Sequence, residues 1–111
     1  MGDFLKHECG IAVLRLKKPL AYYHDKYGSA LYGFQKLFLL MEKQHNRGHD
    51  GIGIGGVKLN MELGDPYMFR ERSAARDSLT VVFKDLMDRY HGVCERRGID
   101  PEDPNNVSRY F

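Results

Sequence analysis

The sequence predicts an α+β fold, on three observations: two stretches with the apolar period of a helix, one short apolar run near the start, and two strand-like runs separated by turn residues. With 111 residues, 42% of them hydrophobic, the chain has material for one modest core and one globular unit. Lys and Arg number 17 and Asp and Glu 15, spread along the chain, and this even balance argues against a dedicated nucleic-acid or acidic-surface binder. No apolar run approaches the ~20 residues of a membrane helix, so no membrane partner is expected. The first residues lack the apolar centre of a secretory signal, and a cytoplasmic location is expected. In such a reducing compartment Cys9 and Cys94 are to be judged as separate thiols.

The elements follow in order. Gly10 to Leu16 (GIAVLRL) is apolar and bounded by Gly10 and Lys17-Lys18-Pro19, which predicts a buried strand with Cys9 at its mouth. Lys17 to Gly28 mixes Pro, Gly, tyrosines and charges and reads as a loop or irregular insert. Ser29 is a candidate N-cap for a helix running to Gln44, whose apolar face is Leu31, Phe34, Leu37, Phe38 and Met41; that helix is expected to pack on the first strand. The polar stretch His45 to Asp50 then breaks the period and leads into a second strand within Gly51 to Leu59. Turn residues Asn60 to Asp65 and a third strand, Pro66 to Arg70, complete a β-hairpin with a long loop. Asp77 or Ser78 caps a second helix over Leu79 to Arg96, with Leu79, Val82, Phe83, Leu86, Tyr90 and Val93 inward and Gly98 as its stop. The tail Ile99 to Phe111 shows no period and has no polar terminus, which suggests a chain cut from something longer.

Four features could carry chemistry. Gly51 to Gly56 (GIGIGG) matches G-x-G-x-x-G, but a dinucleotide fingerprint needs a strand before it and a helix after it; here a polar loop precedes and a strand follows. Its glycines are better read as places where another backbone or a substrate comes close. His45 and His49 would align for a metal only on a helix, which Gly48 opposes, so no metal is expected. Cys94 falls beside the apolar side of the second helix, where a free cysteine acts as a small hydrophobe. Cys9 alone, judged by composition, is more often buried filler than nucleophile.

The order of the pieces changes that weighting. Glu8 followed by Cys9-Gly10-Ile11, a strand, a helix, and then Gln44-His45-Asn46-Arg47-Gly48-His49-Asp50-Gly51-Ile52-Gly53-Ile54 resembles the start of the class II glutamine amidotransferases, which are N-terminal-nucleophile hydrolases. Their pattern is C-G-I/V at a new N-terminus and a Q-H-R-G-Q-D-x-x-G-I-like loop after one helix. Asn46 is inserted and His49 replaces the usual residue, while Arg47, Gly48 and Asp50 keep register with the strand that follows. The likeness spans most of residues 9 to 83. Within the family, a leader as long as Met1 to Glu8 is similar to that of the amidophosphoribosyltransferases.

The resemblance implies a propeptide over residues 1–8 and, over 9–111, the N-terminal half of a four-layer αββα sandwich, incomplete here. It implies that Cys9 is the catalytic residue: once freed, its α-amine, of ordinary pKa ~7.7–8.0, serves as base for its own thiol. Arg47, Gly48 and Asp50 are the implied substrate-binding or positioning residues, Arg47 beside the nucleophile and Asp50 holding the loop. The implied small-molecule partners are glutamine and, through a missing C-terminal part, phosphoribosyl pyrophosphate. Within these residues no cofactor is implied; Mg²⁺ would belong to that absent part. A homo-oligomer is expected. The family's G-H-x-R-Y-x-T and Asn-Gly motifs do not occur in the 111 residues, so the stretch on its own is expected to be nearly inactive. The alternatives are a non-catalytic regulatory or binding domain of the same shape and a small α+β interaction protein.

Overall fold

The described residues, 10–44, 51–59, 61–74 and 77–111 of a computed structural model, form four helices and one antiparallel hairpin. The order is α1 (Leu20–Tyr27), α2 (Tyr32–Gln44), β1 (Ile52–Val57), β2 (Met68–Ser73), α3 (Ser78–Arg97) and α4 (Pro104–Tyr110). The coarse α+β class therefore holds.

The helix α3 is long because its apolar positions persist for five turns with no proline and with Gly92 as its one interior glycine; Leu79, Val82, Phe83, Leu86, Tyr90 and Cys94 are all buried. Val93, expected inward, is only half-buried, and Cys94 takes the inner place. Gly98 ends the helix in the left-handed region (φ +65°), and its N–H bonds back to Glu95, as a C-terminal glycine does. Asp77 stands at the N-cap position without a capping side-chain bond.

On one side of α3 lies α2. The Ser29 Oγ accepts from Leu31 N–H at 3.0 Å, so the expected cap residue does start the turn that leads into α2. Phe34, Leu37, Phe38 and Met41 face the group formed by Leu79, Val82, Phe83 and Leu86. On another side, β1 and β2 pair in the register Ile52↔Ser73 to Val57↔Met68. Burial alternates along both strands, which turns Ile52, Ile54 and Phe69 toward the same core.

Glycine has a specific use here: a Cβ on Gly56 would come 2.2 Å from the Phe69 ring, which stands opposite it in register. The ring lies across the glycine and reaches Phe111, 5.5 Å away centre to centre. The Gly51 to Gly56 stretch is therefore a hairpin strand with no helix after it, the wrong context for a dinucleotide turn.

Three expectations are corrected. Residues 10–16 are assigned no strand; their burial alternates, but Ile11 and Val13 are 81% and 83% exposed, so the run is not a buried strand. Alternation of side chains is a local property, whereas a strand needs a continuous backbone partner, and the sheet found among the described residues is the β1–β2 pair alone. The expected packing against the first helix survives in part, since Leu16 fills the space over Gly33 of α2. The stretch read as a loop, Lys17 to Gly28, is largely the helix α1, set between Pro19 at its N-cap and Gly28 at φ +85°. No residue of α1 is fully buried and only Leu20 packs on the core, so it has no periodic apolar face for the sequence to announce; the pairs Lys18/Tyr22, Lys26/Tyr22 and Tyr23/Tyr27 add i,i+4 contacts.

The tail is the third correction. Asp103 caps α4 by accepting from Asn105 N–H at 2.9 Å, with Pro104 in the first turn where its missing N–H is harmless. Val107 is buried with Ala30, Leu31, Tyr90 and Cys94, and Phe111 touches Phe34, Phe69 and Tyr90 at 4.8–5.5 Å between ring centres. Seven residues are too few to display a helical period, so the cap was the only local signal.

Candidate functional site

Cys9, Arg47, Gly48 and Asp50 lie outside the described residues, as do the propeptide expected over 1–8 and the histidines His45 and His49. What is described is the framework on both sides of them. Gly10 is exposed, and the chain then runs past α2, where Ala12 and Leu16 are half-buried. The second motif leaves the C-terminal turn of α2 and is next described at Gly51, which has φ +139°. A Cβ there would lie 2.9 Å from the Ser73 carbonyl oxygen, so a side chain is opposed both by backbone conformation and by space. Gly51 fixes the backbone direction at the start of β1.

These flanks meet. A cavity of about 70 Å³ is lined by Ala12, by Leu37 and Met41 of α2, by Ile52 to Gly55 of β1 and by Phe83 of α3. Ala12 follows Cys9 by three positions, Met41 precedes the polar sequence 45–50 and Ile52 follows it. Described residues that flank the two motifs, far apart in the chain, thus line one cleft through the packing of α2 and β1 on α3. Its side chains are apolar. By volume it holds about two water-sized groups, enough for a short methylene segment and too little for a nucleotide. It can exclude water and shape an apolar wall; any polar chemistry must come from its rim.

Groups with shifted ionisation lie elsewhere and have structural explanations. Burial, then the neighbouring Cys94 thiol, holds the Tyr90 hydroxyl well above the ordinary phenol range. That hydroxyl donates to the Pro101 carbonyl oxygen at 2.6 Å and ties the turn before α4 to α3. Burial lowers the Lys58 ammonium, whose Nζ reaches the Arg109 carbonyl oxygen at 3.4 Å. Cys94 is a free thiol, 3% exposed and packed among Ala30, Leu31, Tyr90 and Val107, as expected of an apolar filler. Among the described residues no group of three or more His, Cys, Asp or Glu is placed to hold a metal, and no helix is long and apolar enough to cross a membrane.

The reading from sequence did not find the aromatic cluster on α1 and the start of α2. The rings of Tyr23, Tyr27 and Tyr32 are close to parallel, Tyr27 and Tyr32 at 4.0 Å between centres, and the Lys26 Nζ stands 5.5 and 5.4 Å from the Tyr22 and Tyr27 centres. The spacing of Lys18, Tyr22 and Lys26 at four-residue steps was the available signal. No family model, no curated protein and no solved structure matches this chain.

Proposed function

We propose that the chain is the N-terminal part of a class II glutamine amidotransferase domain, most like that of an amidophosphoribosyltransferase, with Cys9 as its nucleophile. The supporting observation is the convergence of the Cys9 flank and the Gln44-to-Gly51 flanks on one cavity, through Ala12, Met41 and Ile52. Two motifs that serve one reaction must enter one place, and nothing in their sequence separation requires it. On this reading the described elements belong to one half of a four-layer αββα sandwich.

In the proposed chemistry, hydrolysis of the Glu8–Cys9 bond frees the Cys9 α-amine. The amine takes the thiol proton, and the thiolate adds to the side-chain carboxamide carbon of glutamine. The tetrahedral oxyanion collapses; the C–N bond breaks, the leaving nitrogen takes the proton, and ammonia departs from a γ-glutamyl thioester. Water then adds to the thioester, releases glutamate and returns the thiol. Arg47, Gly48 and Asp50 form the loop beside this centre, Arg47 suited to a carboxylate through its paired N–H donors. Ammonia is handed to an acceptor, phosphoribosyl pyrophosphate by the same resemblance, outside these residues.

Intact mass and peptide mapping test the proposal. Loss of Met1 to Glu8, followed by stoichiometric capture of Cys9 by a glutamine-mimicking electrophile, is expected. Cys94 serves as the internal control, since its burial leaves it slow to react. A folded protein that keeps residues 1–8 and leaves Cys9 unlabelled would refute the mechanism, and a non-catalytic binding domain would take its place.

A further inference from the structure

The even charge of the whole chain conceals a local excess. Between Arg15 and Tyr32 stand four cations, Arg15, Lys17, Lys18 and Lys26, against the single acid Asp25, while the complete sequence nets only +2. Asp25 is within 3.7 Å of His24 rather than of a lysine. The same stretch holds four of the seven tyrosines. A loop would scatter them; α1 instead sets Tyr22 and Lys26 along one line and Tyr23 and Tyr27 along the next, and Lys18, just before the helix, lies 5.9 Å from the Tyr22 ring centre.

Tyr22 and Tyr27 are 40% and 47% exposed, and no residue of α1 is buried. The contacts of these two rings are with the Lys18 and Lys26 ammonium groups and with neighbouring tyrosines, and the rest of their area is left to solvent. Rings with open area beside lysines are the two components of a sequence-tolerant single-strand platform: bases stack on the rings and ammonium groups meet the phosphates. The cations here are mostly lysines, point charges on mobile stems, without the arginine cluster that grips phosphopeptides in bidentate fashion. The rings also lack the apolar companions that would draw the helix into a lipid surface.

We propose that the tyrosine–lysine face of α1 binds single-stranded nucleic acid, with Tyr22 and Tyr27 as stacking surfaces and Lys17, Lys18 and Lys26 as phosphate contacts. Lys26, which now donates from Nζ to the Tyr22 hydroxyl at 3.2 Å, turns to the backbone phosphate on binding. This site is separate from the cavity lined by Ala12, Met41 and Ile52 and stands or falls independently of the amidotransferase proposal.

Fluorescence anisotropy of a labelled twelve-residue oligo-dT with the full chain tests it. Binding in the range of about 10⁻⁴–10⁻⁶ M at low salt is expected, weakening about 20-fold between 50 and 200 mM KCl if three phosphates are neutralised. Tyr22→Ala should weaken binding by about 5- to 150-fold while Tyr22→Phe retains it, because the ring and not the hydroxyl stacks. Lys26→Gln should flatten the salt dependence by the share of one phosphate in three. Three outcomes overturn the proposal: no binding at 50 mM KCl, a Tyr22→Ala variant that binds as the parent does, or poly-glutamate of equal charge competing as well as the oligonucleotide.

Discussion

Gly55 and Gly56 are neighbours in β1 with opposite surroundings, and replacing each in turn by alanine isolates the cost of one contact. Neither has a positive φ, so alanine is admitted by the backbone at both places. Replacing glycine in a strand relieves an entropic penalty of roughly 0.5–1 kcal/mol, the same at both sites. At Gly55 the new methyl meets only the Phe69 carbonyl oxygen at 3.8 Å, an ordinary contact. At Gly56 it would stand 2.2 Å from two atoms of the Phe69 ring. Carbon atoms rest at about 3.5–4.0 Å, so the ring must retreat by more than 1 Å. It cannot do so freely, because it is packed on Phe111 and against the Leu79–Leu86 side of α3. Overpacking of this kind costs about 1–3 kcal/mol. Gly55→Ala is therefore expected to be neutral or slightly stabilising and Gly56→Ala destabilising, with a gap of about 2 kcal/mol between them. Urea unfolding followed by circular dichroism reads the gap as a midpoint difference of about 1 M at ordinary slopes. Equal midpoints, or a more stable Gly56→Ala variant, would refute the seating of Phe69 over Gly56. The glycine-rich stretch would then need another explanation, such as close approach of a ligand.

Three further outcomes follow from the packing. Phe111→Ala, which removes a ring shared by α2, β2 and α3, should cost about 2–3 kcal/mol in the same unfolding assay, and a change below ~0.5 kcal/mol would contradict its place between the two core groups. Tyr90→Phe leaves the Pro101 carbonyl without its donor and should cost about 1–2 kcal/mol, detected as an earlier urea midpoint at pH 7. Because the folded state holds the Tyr90 hydroxyl protonated beyond its ordinary value of 10.0, its contribution is complete below pH ~10 and declines as the pH rises further; the gap between parent and Tyr90→Phe should be constant from pH 7 to 9 and narrow above that. Asp103→Ala should cost about 0.5–2 kcal/mol and release α4 first, visible as faster amide exchange at Asn105 and Asn106.

Much of the scaffold was legible because its signals are local. The α3 helix has enough turns to display a 3.6-residue period and a glycine to stop it, and the hairpin alternates on both strands around turn residues. Ser29 was readable as the start of the α2 turn because its hydroxyl acts within two residues. Cys94 was readable as filler from its place on the apolar side of that long helix. The misses share a different cause. The α1 helix packs only Leu20 on the core and α4 is too short for a period, so neither leaves the apolar pattern that sequence reading depends on. The run from Gly10 to Leu16 does carry an apolar alternation, but a strand is completed by its partner, and that partner is not specified within the run itself.

By itself the sequence determined the α+β composition, the two core helices and the hairpin. Only the tertiary structure decided that Ala12, Met41 and Ile52 wall one cavity, that Phe69 lies over Gly56, and that Phe111 joins α2, β2 and α3. It also decided that tyrosines and lysines scattered through a stretch resembling a loop share the surface of one helix. The physical reason is range: caps, periods and turns act over a few bonds and are written in neighbouring residues. A cavity wall or a ring seated on a glycine depends on which distant surfaces meet, and that is settled by the burial of all the apolar faces together.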